Sequence, residues 1–180
     1  MRYQGAGHSN LWMGVIVAAA ILSSFALACG MPFAALGALA AVTLVPRDAV
    51  VLAVLGWLAN QAVGFSFLGY PLDAMTLAWG VALGLSAVSA VAAGLVIVQM
   101  ARHAGPLLRL PLVFLAAWVG QQGTVLAASL VLGGTASAFG PAVVWSIFWT
   151  NAVVFVALLS AQAFGALLGV ARRPMAQPAG

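Results

Sequence analysis

Residues 57–79 read WLANQAVGFSFLGYPLDAMTLAW, two apolar segments joined by a short turn at residues 69–71. Helical spacing places Trp57, Asn60 and Gln61 on one face of the first segment. Amides in a segment that faces hydrocarbon are costly unless they find partners or line a cavity. Asn60 and Gln61 are therefore either polar contacts between helices or part of a binding site, and the two interpretations stay open at this point.

The composition of the chain is that of an integral membrane protein. Of its 180 residues, 65% are hydrophobic and 4% are charged, and the mean hydropathy is +1.17. A soluble domain would carry roughly a quarter charged residues. The net charge of +4 comes from six scattered arginines, which form no patch for nucleic acid and are better explained by membrane topology.

The pattern of apolar segments, prolines and glycines predicts one all-α domain, a compact bundle of six transmembrane helices. The second span is short and lies between two prolines, Pro32 and Pro46, so it is thin, tilted or partly re-entrant. Asp48 is well placed to cap the third span. The predicted spans are residues 11–28, 32–45, 49–68, 72–100, 111–132 and 141–170, followed by a frayed tail at 172–180.

The arginines determine the predicted orientation. With six spans, every arginine falls on the same side of the membrane, and the loops on the other side contain no lysine or arginine. The positive-inside rule therefore predicts that both termini are cytoplasmic, in a multi-pass protein of a bacterial inner membrane.

Aromatic and amide side chains gather toward the outer half of this topology, as expected for an aromatic-walled cavity that opens outward. Indole rings would stack on a ligand, amides would hydrogen-bond it, and Tyr70 or Asp73 would lie in an outer gating loop. Each has a simpler interpretation: Trp145 and Trp149 suit an interfacial belt, and Asp73 suits a helix start. The candidate binding residues are Trp57, Asn60, Gln61, Tyr70, Asp73, Trp79, Gln121, Gln122, Trp145, Trp149 and Asn151.

Catalysis finds little support in the sequence. The two carboxylates, Asp48 and Asp73, fall on opposite sides of the predicted membrane, so they cannot form a dyad. No serine has a histidine and acid partner, and the absence of a phosphate-binding glycine loop means that the chain does not itself hydrolyse ATP. We therefore expect no enzymatic activity and no intrinsic cofactor.

The length, the six spans, the cytoplasmic termini and the outer aromatic and amide residues together resemble the substrate-binding S-components of energy-coupling factor vitamin transporters. The resemblance implies a small-molecule substrate, a vitamin-like solute bound from outside, and a transmembrane coupling protein with ATPase subunits as partner. This chain has its strict small-residue pair, Ala34 and Ala38, on the second span, whereas the family carries its coupling surface on the first helix.

The ligand class remains open between two possibilities. Solitary cobalamin-type members of that family use a cysteine to bind the corrinoid cobalt, so the resemblance implies Cys29 as a candidate cobalt ligand. The tryptophans suit a flat heteroaromatic, such as a thiamine-like or flavin-like ring, equally well. The alternative function is a non-transporting accessory or assembly subunit of a larger membrane complex, in which the amides hold helices together.

Overall fold

The computed structural model describes residues 32–133 and 139–167 of the chain. These residues form five α-helices and contain no strand. The predicted first span, Cys29 and the predicted C-terminal tail lie outside the described residues. The helices are α1, Phe33–Thr43; α2, Pro46–Ser66; α3, Ala74–Met100; α4, Pro106–Leu132; and α5, Pro141–Leu167.

Four of these helices, α2 to α5, are long and apolar enough to cross a lipid bilayer. They contain 21 to 27 residues, and their mean hydropathies range from 1.4 to 2.4. About 20 apolar residues are needed to span the hydrocarbon core. The described residues therefore have the architecture of a multi-pass, all-helical membrane protein.

Two helices begin earlier than their predicted spans because proline suits the first turn of a helix. Helix α2 begins at Pro46, so Asp48 lies in its first turn; the N-cap position belongs to Val45, and no side chain caps it. Helix α4 begins at Pro106, which places Pro111 inside the helix rather than at its start. The prediction that Asp48 caps the helix was wrong. Its negative charge in the first turn still stabilises the helix, because the N-terminal end carries a partial positive charge.

The short helix α1 lies at the centre of the bundle. It has 11 residues, which corresponds to about 16 Å and roughly half of the hydrocarbon core. It packs against α2, α3, α4 and α5, and ten of its residues are buried. Its apolar composition all round agrees with this position, because a helix enclosed on every side needs no polar face.

Small residues set the distances between α1, α3 and α4. A Cβ atom on Gly37 would lie 2.9 Å from the Cβ of Ala90, and one on Gly94 would lie 2.9 Å from that of Ala41. These two contacts show that α1 and α3 run parallel. Small residues at such positions let helix backbones approach closely, which is how membrane helices gain packing energy.

The four long helices are arranged around α1 in chain order, with α2 beside α3, α3 beside α4 and α4 beside α5. Arg47 is in the first turn of α2, Arg102 follows the end of α3 and Arg109 is in the first turns of α4. Because neighbouring helices are antiparallel, these arginines lie at the same end of the bundle, which we call the arginine end.

Candidate functional site

The amides and indole of α2 pack into the surface of α3. The indole Nε1 of Trp57 donates a 2.7 Å hydrogen bond to the backbone carbonyl of Gly80. The same indole covers Gly84, where an added Cβ would lie 2.8 Å from the ring, and Gln61 lies against Gly80. Asn60 is buried, and its Nδ2 donates a long 3.5 Å bond to Gln61 Oε1. Trp57 and Gln61 therefore occupy the contact between the two helices, and Asn60 is buried beside them.

The turn between α2 and α3 is held by local hydrogen bonds. The N–H of Tyr70 donates to the carbonyl of Gly64 at 3.1 Å, and its ring packs over Gly64 and edge-on against Phe65. Gly69 has a φ of +67°, a left-handed conformation that glycine adopts without strain. The predicted gating residue Tyr70 is thus packed onto the end of α2.

Asp73 caps helix α3. Its Oδ1 accepts a 2.7 Å hydrogen bond from the N–H of Thr76, which is the usual bond between an N-cap carboxylate and the first turn. This backbone hydrogen bond, followed by the side-chain hydrogen bond of Thr76, lowers the pKa of Asp73 below its ordinary value of 3.8. Trp79, another predicted site residue, is half-buried beside Gly80.

Asn151 of α5 caps the buried end of α1. Its Oδ1 accepts a 3.1 Å hydrogen bond from the N–H of Ala35, and its Nδ2 donates to the carbonyl of Ile147 at 2.9 Å. A helix N-terminus leaves its first N–H groups without intrahelical partners, and the Asn151 side chain supplies one of them with an acceptor. Both polar atoms of this predicted ligand-binding amide are therefore used in the fold.

Helix α4 carries three buried polar atoms without a hydrogen-bond partner, within five consecutive residues. They are the indole Nε1 of Trp118, Oε1 of Gln121 and Nε2 of Gln122. Gln121 is only 7% exposed. Native proteins leave few buried polar atoms unpaired, because each one costs the free energy of its lost hydration. This cluster, which we call the α4 polar cluster, is therefore the candidate site.

The α4 polar cluster lies at the depth where α1 begins. A Cβ on Gly120 would lie 2.8 Å from the backbone oxygen of Ser89, and Gly37 meets α3 one residue further along, at Ala90. Gln121 is therefore within about one helical turn of the first half of α1 along the bundle axis. The cap from Asn151 to Ala35 is at the same depth.

Aromatic rings connect this cluster to the exposed surface of α5. Trp118 contacts Phe148 edge-on at 5.4 Å between ring centroids, and Phe148 stacks on Trp145 at 5.9 Å. Trp145 and Trp149 are 60% and 50% exposed. The two tryptophans are therefore largely exposed, and within residues 32–133 and 139–167 Trp118 and Phe148 bring ring surface toward the polar atoms.

No family model, curated protein or solved structure matches this chain. Its function therefore has to follow from the chemistry of the site. Among the described residues, no group of three histidine, cysteine or carboxylate side chains could hold a metal ion, and Cys29 lies outside them.

Six of the eleven predicted site residues form three groups. Trp57 and Gln61 lie between α2 and α3 with Asn60 bonded to Gln61, Asn151 caps α1, and Gln121 Oε1 and Gln122 Nε2 on α4 have no partner. The other five lie elsewhere: Tyr70 and Asp73 at the turn before α3, Trp79 in the first turns of α3, and Trp145 and Trp149 exposed on α5. Sequence reasoning missed Trp118. Its position three and four residues before the two glutamines is a helical spacing that the sequence does display.

Proposed function

We propose that the chain is a membrane-embedded substrate-binding and translocation subunit for uptake of a small vitamin-like solute across a bacterial inner membrane. The observation that supports this proposal is the α4 polar cluster, with three buried and unpartnered polar atoms on Trp118, Gln121 and Gln122. Polar groups kept unpaired at membrane depth are expensive and are expected at a ligand path.

The interrupted helix α1 adds to the proposal. Transporters commonly place substrate sites near the bilayer midplane, where a discontinuous helix ends inside the protein. Helix α1 is such a half-length helix, and its N-terminal end lies at the depth of Gln121. Its first turn supplies a partial positive charge, which would add to the donors of the α4 polar cluster.

The α4 polar cluster suggests the kind of solute. Its indole N–H and amide nitrogen donate, its amide oxygen accepts, and Trp118 and Phe148 offer ring faces or edges. A flat heteroaromatic with both donors and acceptors would satisfy this set, and a corrinoid with peripheral amides is the other candidate. Because the sequence has no phosphate-binding loop, active uptake would need a coupling protein with ATPase subunits.

Substituting the residues that carry the unpaired atoms tests whether the α4 polar cluster binds a ligand or only stabilises the fold. Gln121→Leu and Trp118→Phe remove a polar atom that has no partner, so thermal stability should stay equal or rise. Solute affinity should fall about tenfold or more, because a site built to hydrogen-bond its ligand loses one of those bonds. Gln99→Leu, on the exposed surface of α3, is the matched control and should change neither quantity.

Native mass spectrometry of the gently solubilised protein, together with solute uptake by a deletion strain, provides the first measurement. A retained small molecule and an uptake defect that the wild-type gene restores are expected. A protein that holds no solute, in a strain with normal uptake of cobalamin, thiamine and flavin compounds, would contradict the proposal.

A non-transporting accessory subunit is the second candidate, and a separate observation favours it. Trp57, Gln61 and Asn151 take part in contacts between helices, as polar side chains that hold a bundle together do. This candidate predicts a large stoichiometric partner on co-purification. It also predicts that Asn60→Ala and Gln121→Ala impair assembly or stability rather than ligand affinity.

A further inference from the structure

Phe148 of α5 lies at the border between the α4 polar cluster and the exposed surface of α5. Across the helix contact it meets Trp118 edge-on at 5.4 Å between ring centroids and Phe114 at 5.7 Å. On its own helix it contacts Trp145 and Trp149, both at 5.9 Å, and these two rings are largely exposed. The half-buried ring of Phe148 therefore stands between Trp118 and the surroundings of the protein.

Rings, rather than backbones, close the contact between α4 and α5. Between α3 and α4 the backbones approach so closely that a Cβ on Gly120 would lie 2.8 Å from the backbone oxygen of Ser89. The backbones of α4 and α5 make far fewer close approaches, and their facing side chains include the stacked pair Phe114 and Phe155, 5.2 Å apart. Where bulky side chains fill the distance between two helices, loss of one ring leaves a cavity that the backbones close only in part.

The ring of Phe148 covers a polar atom that it does not satisfy. The indole Nε1 of Trp118 is buried and has no hydrogen-bond partner, and a phenyl ring supplies no oxygen or nitrogen acceptor. Gln122, whose Nε2 is also unpaired, follows Trp118 by four residues and so lies on the same face of α4. A cavity opened beside polar groups admits water, whereas one lined only by apolar side chains stays dry. The packing of Phe148 therefore decides whether water reaches these atoms.

We propose that Phe148 is the residue that controls access to the α4 polar cluster. Its ring closes the cluster when it packs on Trp118 and opens it by rotating away. Use of this opening for entry and release of a solute rests on the proposed function, whereas the control of access itself is tested with water alone.

The position of Phe148 on α5 allows this rotation without a change in the helix framework. Helix α5 is the least enclosed of the four long helices, and Asn151, three residues after Phe148, holds it to α1. Side chains near a surface change rotamer far faster than helices shift. Movement of one ring, with the Asn151 cap kept in place, is thus enough to uncover Trp118.

Exchange of the Trp118 indole N–H with deuterium oxide measures this access directly. NMR of the intact protein in detergent, with isotope-labelled tryptophan, follows each indole separately, and Trp118→Phe assigns the signal. We expect slow exchange in the wild-type protein. Phe148→Ala should accelerate exchange at Trp118 about tenfold or more, because water then enters beside the indole.

Phe155→Ala is the matched control, since it makes the same truncation about two turns further along α5. Phe155 is 5% exposed and stacks on Phe114, so its loss also loosens the packing of α4 against α5. Exchange at Trp118 should nevertheless stay within about twofold of the wild type. Trp57, whose Nε1 donates to the carbonyl of Gly80, is the internal reference and should exchange slowly in every variant.

Thermal unfolding establishes that each variant is folded. If Phe148→Ala loosens the whole bundle, which an equal acceleration at Trp57 would reveal, Phe148→Leu replaces it and should accelerate exchange at Trp118 by a smaller factor.

Slow exchange at Trp118 in a folded Phe148 variant overturns the proposal. Exchange in the wild-type protein as fast as in Phe148→Ala overturns it as well, because water would then reach the indole by another route. Absence of a bound solute, in contrast, would contradict the proposed function and leave these exchange rates unchanged.

Discussion

At the scale of single residues, Asn151 shows how a polar side chain is accommodated in an apolar bundle. Its oxygen accepts from Ala35 of α1, and its nitrogen donates to Ile147 of its own helix. The side chain is 2% exposed. Both halves of the amide are satisfied, so its burial carries little net cost, and α1 gains the acceptor that its free end requires.

Replacing Asn151 should therefore destabilise the bundle. Asn151→Leu leaves the N–H of Ala35 buried and unpaired, and we expect a loss of about 1–3 kcal/mol in the free energy of unfolding. Thermal or denaturant unfolding in detergent measures it. Ser160→Ala on the same helix removes only an exposed bond to Val156 and should stay within about 0.5 kcal/mol of the wild type. Equal stability of the two variants would contradict the role of Asn151.

Asp73 predicts a local response to pH. Its pKa in the folded state is below 3.8, so its cap contributes at neutral pH and is lost as the pH falls through that lowered value. Hydrogen exchange at the Thr76 amide, corrected for its intrinsic rate, should show protection that decreases only below pH 3.8.

Asp73→Asn serves as the control for this experiment. An asparagine also caps helices but does not titrate, so protection at Thr76 should be independent of acid in this variant. Loss of protection in both proteins at the same pH would indicate that some other group is responsible.

The sequence identified the unusual side chains but could not assign their partners. Gln121 and Asn151 look alike as intramembrane amides, yet the first has an unpartnered oxygen and the second caps a helix. Which role each takes depends on the depth at which α1 ends and on the helix that lies opposite. The periodicity of residues along one helix predicts neither the depth of α1 nor the identity of the opposing helix.

At the scale of helices, the contact between α3 and α4 depends on Gly120. An alanine Cβ there would lie 2.8 Å from the backbone oxygen of Ser89 and 3.0 Å from the Cβ of Ala93. Backbone cannot rotate away as a side chain does, so the two helices must separate. We expect Gly120→Ala to lower the free energy of unfolding by about 1–3 kcal/mol.

Gly123 of the same helix provides the matched control, since an added Cβ there meets nothing within 4 Å. Gly123→Ala should be neutral or should stabilise the protein by up to about 1 kcal/mol, because alanine is the better helix former. Unfolding of both variants under identical detergent conditions gives the comparison. A Gly120→Ala protein as stable as Gly123→Ala would mean that α3 and α4 do not pack as described.

The predicted spans for the described part of the chain agree with the helices to within a few residues, except at α4. The predicted span begins at Pro111 and leaves Arg109 outside the helix, but Gly105 and Pro106 form a suitable helix start. The short second span was expected to be thin or re-entrant. That it lies at the centre of the bundle could not be predicted, because its all-apolar composition also suits a lipid-facing helix.

At the scale of the whole molecule, the orientation in the membrane is a prediction that rests on the arginines. Cysteine labelling tests it without removing any arginine, in a Cys29→Ala background. An impermeant maleimide should label Leu72→Cys, next to the turn before α3, in intact cells. It should label His103→Cys, at the arginine end, only after the membrane is permeabilised.

Both sites are exposed in the structure, with Leu72 at 78%, so a difference in labelling reports the side of the membrane rather than burial. Labelling of both in intact cells would contradict the topology, and the reverse pattern would invert it. The all-helical class followed from composition and segment length, whereas the count of six spans stays a prediction. The order in which the described helices surround α1 required the three-dimensional contacts.

The hydrogen bond between Ala35 and Asn151 joins residues that are 116 positions apart, and this has a consequence for biogenesis. An 11-residue segment is too short for the translocon to integrate as a spanning helix, which requires about 20 residues. When α1 leaves the ribosome, the residue that caps it has not yet been synthesised. Insertion of this segment is therefore expected to finish only after α5 has entered the bilayer, and a nascent chain arrested before Asn151 should remain open to membrane quality-control proteases.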